Sequence, residues 1–203
     1  MEKFIRVTGA AVPLIRSNID TEVVIRIDRL IGHRRGQLGP FAFEAWRYNP
    51  DGSENPDFPL NRPKFRSARI LVAGDNFGCG SSREAAAWAL IDFGFRCVIA
   101  PSFGDIFFSN CLQIGVLPIA LPEAVVRALM GEAKGGNHVF AVDLAAQSVT
   151  SPSGQTFHFE IDPSRKEKLL GGLDAIGETL QQGQAIDVYE MRQALAQPWL
   201  EPA

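Results

Sequence analysis

From Arg69 to Ala133 the chain alternates short apolar runs with longer helical ones, and no other feature constrains its fold as strongly. "RILVAG" leads through a glycine-rich turn into "SREAAAWALIDF", which Gly94 closes. "RCVIA" leads into "GDIFFSNCLQI", closed by Gly115, and "VLPIAL" leads through Pro122 into "EAVVRALMGEA". A glycine just past a helix accepts the left-handed backbone that ends it, and a proline at a helix start has no N–H to leave unpaired. A βαβαβα order predicts parallel strands joined by crossover helices.

Outside this core the pattern changes. "FIRVTGAAVPLI" and "TEVVIRI" are β-rich runs separated by the turn-forming "RSNID", and two strands are expected there. Residues 28–66 are rich in Gly, Pro and polar side chains that break every periodicity. They read as a long, partly mobile loop with a short helix around Phe41 to Trp46. "HVFAVDLAAQSVT" and "QTFHFEID" flank "SPSG" as an antiparallel hairpin. From about residue 163 to 203, "PSRKEKLLGGL", "DAIGETL" and "DVYEMRQAL" read as a C-terminal extension of short helices, each opened by a capping-type Ser or Asp. The fold class is α/β with a mixed, partly parallel sheet, in a single domain spanning 1–203.

Composition removes several functional classes. A chain of 203 residues with 46% apolar side chains and a net charge of −3 suits a compact protein and not a basic nucleic-acid binder. No apolar window approaches the roughly 18 residues of a membrane span, so no membrane partner is expected, and the cytoplasm is the expected location. Cys79, Cys97 and Cys111 give neither a disulfide framework nor a metal knuckle, and His33, His138 and His158 lie in unrelated segments. No metal site is expected on this chain.

The turn "AGDNFGCGSSREAAAWAL" carries more than a turn needs. Ser81 followed by Glu84 has capping-box spacing, but a second serine and an arginine share the same helix start. Arginine there opposes the helix dipole, which favours negative charge by roughly 0.3–1 kcal/mol. Backbone N–H groups, two hydroxyls and a guanidinium fork together suit a carboxylate or phosphate. Gly74, Gly78 and Gly80 allow positive φ and close approach, yet the spacing matches neither the Rossmann fingerprint nor the P-loop. Cys79 reads as a packing residue, and Asp75 and Asn76 as turn-formers. A second basic patch, "RIDRLIGHRRG", holds Arg26, Arg29, His33, Arg34 and Arg35 between glycines. It is either a solvated loop or a flap that closes over a polyanionic small molecule.

Three segments, "NIDTEVVI", "GDNFGCGSSREAAAWAL" and "VIAPSFGDIFFSNCLQIGVLPI", resemble the hallmark segments of the small subunits of 3-isopropylmalate dehydratases in the aconitase superfamily. The resemblance runs in order from about Phe4 to Gln197. It implies a swivelling β/β/α three-layer domain, and a large partner subunit that carries a [4Fe–4S] cluster which this chain does not bind. It implies Ser81 as catalytic base, Ser82 as a hydrogen-bond partner of a dicarboxylate substrate, and Arg83 as the clamp on a substrate carboxylate. Arg35, with Arg34 competing, matches a second substrate arginine. The implied reaction is dehydration and rehydration that interconverts 2- and 3-isopropylmalate in leucine biosynthesis, with the cluster iron polarising the leaving hydroxyl. Glu22, Arg26, Ala85 and Ala87 depart from the family pattern. With the "GHRRGQLG" loop they leave open a paralogue acting on another branched or methyl-substituted dicarboxylate, such as citraconate or dimethylmaleate. A non-catalytic anion-binding partner module is the other reading.

Overall fold

The computed structural model describes residues 1–80 and 83–200. Seven strands, β1 (Arg6–Leu14), β2 (Ile70–Ala73), β3 (Cys97–Ala100), β4 (Leu117–Ala120), β5 (Val139–Asp143), β6 (Ser148–Thr150) and β7 (Thr156–His158), form one sheet. Its order is β4-β3-β2-β1-β5-β6-β7. The β1–β2, β2–β3 and β3–β4 pairs are parallel. The β1–β5, β5–β6 and β6–β7 pairs are antiparallel. The expected α/β class with a mixed, partly parallel sheet is therefore observed.

The parallel half is buried on both faces, which is why its strands read as continuous apolar runs. Leu71, Ala73, Val98 and Ala100 point into one core with helices α3 (Glu84–Phe93) and α4 (Asp105–Ile114). Ile70, Val72, Cys97 and Ile99 point into the other, against α5 (Glu123–Lys134). Gly94 and Gly115 end α3 and α4 at φ 117° and 90°.

Four expectations are corrected. "TEVVIRI" is not a strand: Thr21–Val24 form a short helix, α1, because the Asp20 carboxylate accepts the Val23 N–H at 2.7 Å. The β-branched propensity yields to this cap and to burial of Val24 and Ile25. Residues 28–66 are not a partly mobile loop but a packed segment of short helical turns, including α2 (Glu44–Arg47), with Leu38, Phe43, Leu60 and Phe65 buried. Its organiser is buried Arg47, whose Nη1 donates to Pro40 O at 3.1 Å and whose ring neighbour is Phe93. Asn61 Nδ2 donates back to Arg47 O at 2.6 Å. "HVFAVDLAAQSVT" is two strands, β5 and β6, because the chain turns at Leu144–Gln147, where Gln147 takes φ 50°. The β6–β7 hairpin around "SPSG" forms as expected.

The fourth correction concerns caps. In the C-terminal extension, α6 (Pro163–Gly171) and α7 (Ala175–Leu180) are opened by Asp162 and Asp174, each accepting a first-turn N–H. The last helix, α8 (Gly183–Ala196), instead starts after Gln182 without a side-chain cap, and Asp187 falls inside it. Val188, Tyr189, Met191 and Leu195 on α8 remain exposed. Among the described residues, no helix is long and apolar enough to cross a membrane.

Gly78 has φ +74°, and a Cβ there would lie 2.2 Å from the Phe107 ring. Gly78→Ala combines a left-handed penalty of about 1–2 kcal/mol with overpacking of about 1–3 kcal/mol. The expected loss of stability is about 2–5 kcal/mol, read as a lower urea midpoint with an unchanged slope.

Candidate active site

The loops that leave β1, β2 and β3 meet at the carboxyl ends of these parallel strands, the place where open α/β sheets bind ligands. Gly78 N donates to Ile19 O at 2.7 Å, Asn18 N to Asp75 O at 2.8 Å, and Thr21 N to Cys79 O at 3.1 Å. From the third loop, Ser102 O accepts Phe77 N at 3.1 Å, and Gly104 N donates to Phe77 O at 3.0 Å. A Cβ at Gly74 would sit 2.4 Å from Arg16 O, so that position admits no side chain. Gly74 thus serves backbone-to-backbone contact within the chain, whereas a Cβ at Gly78 would meet the Phe107 side chain. Asp75 and Asn76 hold the turn: Asp75 accepts Ser102 Oγ at 2.5 Å, and Asn76 Nδ2 donates to Asn18 Oδ1 at 2.7 Å.

Arg83 emerges from this junction. It is the N-cap residue of α3, with extended backbone and no side-chain cap bond. Glu84 is therefore the first residue of the helix, and the capping box expected from Ser81 and Glu84 rests on a serine outside the described residues. Glu84 Oε1 accepts Trp88 Nε1 at 3.3 Å. Ser81 and Ser82 lie outside the described residues.

The Arg83 guanidinium pairs with Glu22 on α1, and the other oxygen of that carboxylate accepts Ile27 N at 3.2 Å. The carboxylate that the structure places beside Arg83 is that of Glu22. Partial burial pushes the Glu22 carboxyl up. The hydrogen bond from Arg83, the Ile27 N–H and the Arg83 charge together outweigh this and hold it below its ordinary value. Sequence reasoning named Glu22 only as a departure from the family pattern. That departure was the available signal, since the two partners are 61 residues apart.

The basic segment divides in two. Arg26 pairs with Asp28, and Arg29 pairs with Glu44 while lying over the Phe41 ring. His33 Nδ1 donates to Arg29 O at 2.9 Å. Arg34 and Arg35 are exposed and, among the described residues, form no ion pair. Their loop is anchored where Asp92 Oδ2 accepts Gly36 N at 2.8 Å and Leu38 N at 3.0 Å. Asp92 lies nine residues beyond Arg83 along α3, about 13 Å at the rise of an α-helix. The backbone bearing Arg34 and Arg35 is thus held near the far end of that helix from Arg83. Arg35 and Glu84 share the lining of a cavity of about 590 Å³ that also touches Ser109 and Gln113.

Cys97 and Cys111 do not fit an iron–sulfur cluster, and Cys79 stands outside any group of ligand-type side chains among the described residues. Cluster ligands must be thiolates. Burial pushes the Cys97 and Cys111 thiols far above their ordinary value, and Cys97 also disfavours ionisation of Cys111. Among the described residues, no three His, Cys, Asp or Glu side chains group as ligands. The other two departures, Ala85 and Ala87, are buried in the α3 core and bear on packing.

Three family models match the chain. The aconitase C-terminal domain model matches residues 1–124, LeuD_N matches 127–163, and the model of the C-terminal domain of the 3-isopropylmalate dehydratase small subunit matches 176–203. The 3-isopropylmalate dehydratase small subunit of Phenylobacterium zucineum is 59% identical over all 203 residues of both chains. That of Rhodospirillum centenum is 54% identical, covering 98% of each chain. A crystal structure of 3-isopropylmalate dehydratase (leuD) from Methanocaldococcus jannaschii superposes with a TM-score of 0.66 at 22% identity, covering 92% of this chain and 99% of that one.

Glu22 titrates below the ordinary 4.5 in the folded chain. The stability contributed by its pair with Arg83 is therefore present above that value and is lost as pH falls through the lower folded value. In Arg83→Gln the Glu22 carboxyl is expected to titrate higher than in the parent, measured by carboxyl-carbon NMR against pH. An unchanged titration would dissolve the pair.

Proposed function

Because the chain belongs to the family of 3-isopropylmalate dehydratase small subunits, we propose that it is the small subunit of a hydro-lyase that interconverts 2- and 3-isopropylmalate in leucine biosynthesis. The observation that carries this reading is identity of 59% over the full length of a relative of that name. A large subunit is the partner, and its [4Fe–4S] cluster supplies the Lewis acid for the leaving hydroxyl. This chain's cysteines do not fit such a group, so its own contribution is a base and a carboxylate grip.

Ser81 takes the proton from the carbon beside a substrate carboxylate. A serine hydroxyl is a weak base in water, and its alkoxide requires nearby positive charge in a dry site. Two sources stand next to it in sequence: the amino end of α3, which Arg83 leaves without a side-chain cap, and the Arg83 guanidinium itself. Ser82 donates a hydrogen bond to substrate. Arg83 clamps a carboxylate through its planar fork, which requires that Glu22 yield the guanidinium it holds. Arg35 or Arg34 grips the second carboxylate, and Arg35 already lines the same cavity as Glu84, the first residue of α3.

Anaerobic co-purification with the large subunit, followed by assays on isopropylmalates, citraconate and dimethylmaleate, tests the reading. Isopropylmalate is the expected preferred substrate. A preference for either of the others would transfer the chain to a paralogous hydro-lyase. Ser81→Ala is expected to fold and to bind the large subunit while turnover falls about 100- to 10,000-fold. Near-normal turnover would mean that the base lies elsewhere. Arg83→Lys keeps the charge but loses the two-point grip, so kcat/KM is expected to fall with the melting temperature unchanged.

A further inference from the structure

Beside the end of β1, lined by Leu14, Ile15 and Arg16, lies a half-open cavity of about 570 Å³, within the size range of small-molecule sites. Its walls carry Arg16, Trp46, Tyr48, Arg62, Lys64 and Lys134. The only carboxylate among its lining residues is Asp57. Four cations against one anion is an imbalance in a chain whose net charge is −3. Among the described residues none of these four cations forms an ion pair. Arg62 Nη2 donates to Asp57 O at 3.4 Å, and Lys64 Nζ to Lys134 O at 3.1 Å, so what bonds they make go to backbone carbonyls.

The aromatic side chains give the cavity a second character. The Arg16 guanidinium lies 4.5 Å from the centroid of the Trp46 ring, and a ring edge or a second plane can join that stack. Trp46 itself is fixed by Phe43 and Phe58, whose rings lie 6.4 and 6.0 Å from it. Aromatic side chains lining the same space as four cations without ion pairs suit a ligand that is both aromatic and multiply charged. Neither Arg83, Glu22, Arg34 nor Arg35 lines this space, so it is distinct from the carboxylate site.

We propose that this cavity binds an aromatic polyanion, of the chemical class of a nucleoside polyphosphate, with the ring against Trp46 and Tyr48 and the charges on Arg16, Arg62, Lys64 and Lys134. Arg16 also supplies the carbonyl that meets Gly74, so the ligand's grip reaches the backbone of the junction beside the carboxylate site.

Calorimetry on the full chain with three probes separates ring from charge: ATP, inorganic triphosphate and adenosine. ATP is expected to bind at least ten-fold more tightly than either fragment. Arg16→Gln with Lys64→Gln is expected to weaken ATP at least five-fold with an unchanged melting temperature. Trp46→Leu tests the ring in the same way, provided that circular dichroism shows the fold intact. Equal binding of triphosphate and ATP would reduce the cavity to a charged patch and overturn the proposal, as would ATP binding that the double variant leaves intact. Repetition in the presence of the large subunit adds a further arm. Retention of binding supports the site, whereas its loss assigns the cavity to the interface with that partner and overturns it. Apart from the large-subunit arm, these outcomes do not depend on the dehydratase reading, which the turnover assays test separately.

Discussion

Three loops from three adjacent parallel strands touch through their backbones, and the rest of the molecule is arranged around that contact. The carbonyl of Arg16 presses on Gly74, the carbonyl of Gly78 presses on Gly104, and Gly78 N bonds to Ile19 O. Each of the two glycine contacts excludes even a methyl group. Peptide dipoles meeting this closely must be matched in register, so the positions of all three loops are fixed together.

That contact explains features that are otherwise unconnected. Thr21 N bonds to Cys79 O, which anchors the start of α1 on the glycine turn. Asp20 then caps α1, and Glu22, in its first turn, faces Arg83 from a different strand's loop. An ion pair between exposed side chains contributes little by itself. Its geometry is nevertheless specific, because both of its residues leave backbones that the junction has already fixed. The two basic neighbourhoods, one at Arg83 and one at Trp46, share no residue: neither Arg83 nor Glu22 lines the cavity at Trp46.

What could be read from the amino acids was whatever depended on near neighbours. The parallel strands β2 to β4 and helices α3 to α5 were legible because the strands are buried on both faces and each helix ends at a glycine or begins after a proline. Arg83 was legible as an anion-seeking residue because its placement against the helix dipole is itself anomalous. The misreadings share one cause, which is that a distant group settles the local choice. "TEVVIRI" has β-forming residues, but a cap and a tie to Cys79 turn it into a helix. Residues 28–66 have no periodicity because they pack through aromatic rings and the Arg47–Asn61 pair, which leave no repeat in sequence. The boundary between β5 and β6 rests on a left-handed Gln147, a conformation that glutamine does not announce. The uncovered side chains of α8 follow the same logic in reverse, since nothing within the chain tells that helix which face to hide.

The junction also restricts how such a chain can drift. A side-chain contact can be altered in single steps, because a smaller or larger group on one side is tolerated until the other adjusts. A contact between peptide backbones offers no such intermediate, since any residue but glycine at 74 or 104 collides with main-chain atoms that belong to another loop. Innovation is thereby displaced outward, to the arginines at 34 and 35 and to the cavity rim at 16, 62 and 64, all of which are solvent-facing. Lineages that share this framework can diverge freely in what they recognise while remaining unable to alter where recognition happens.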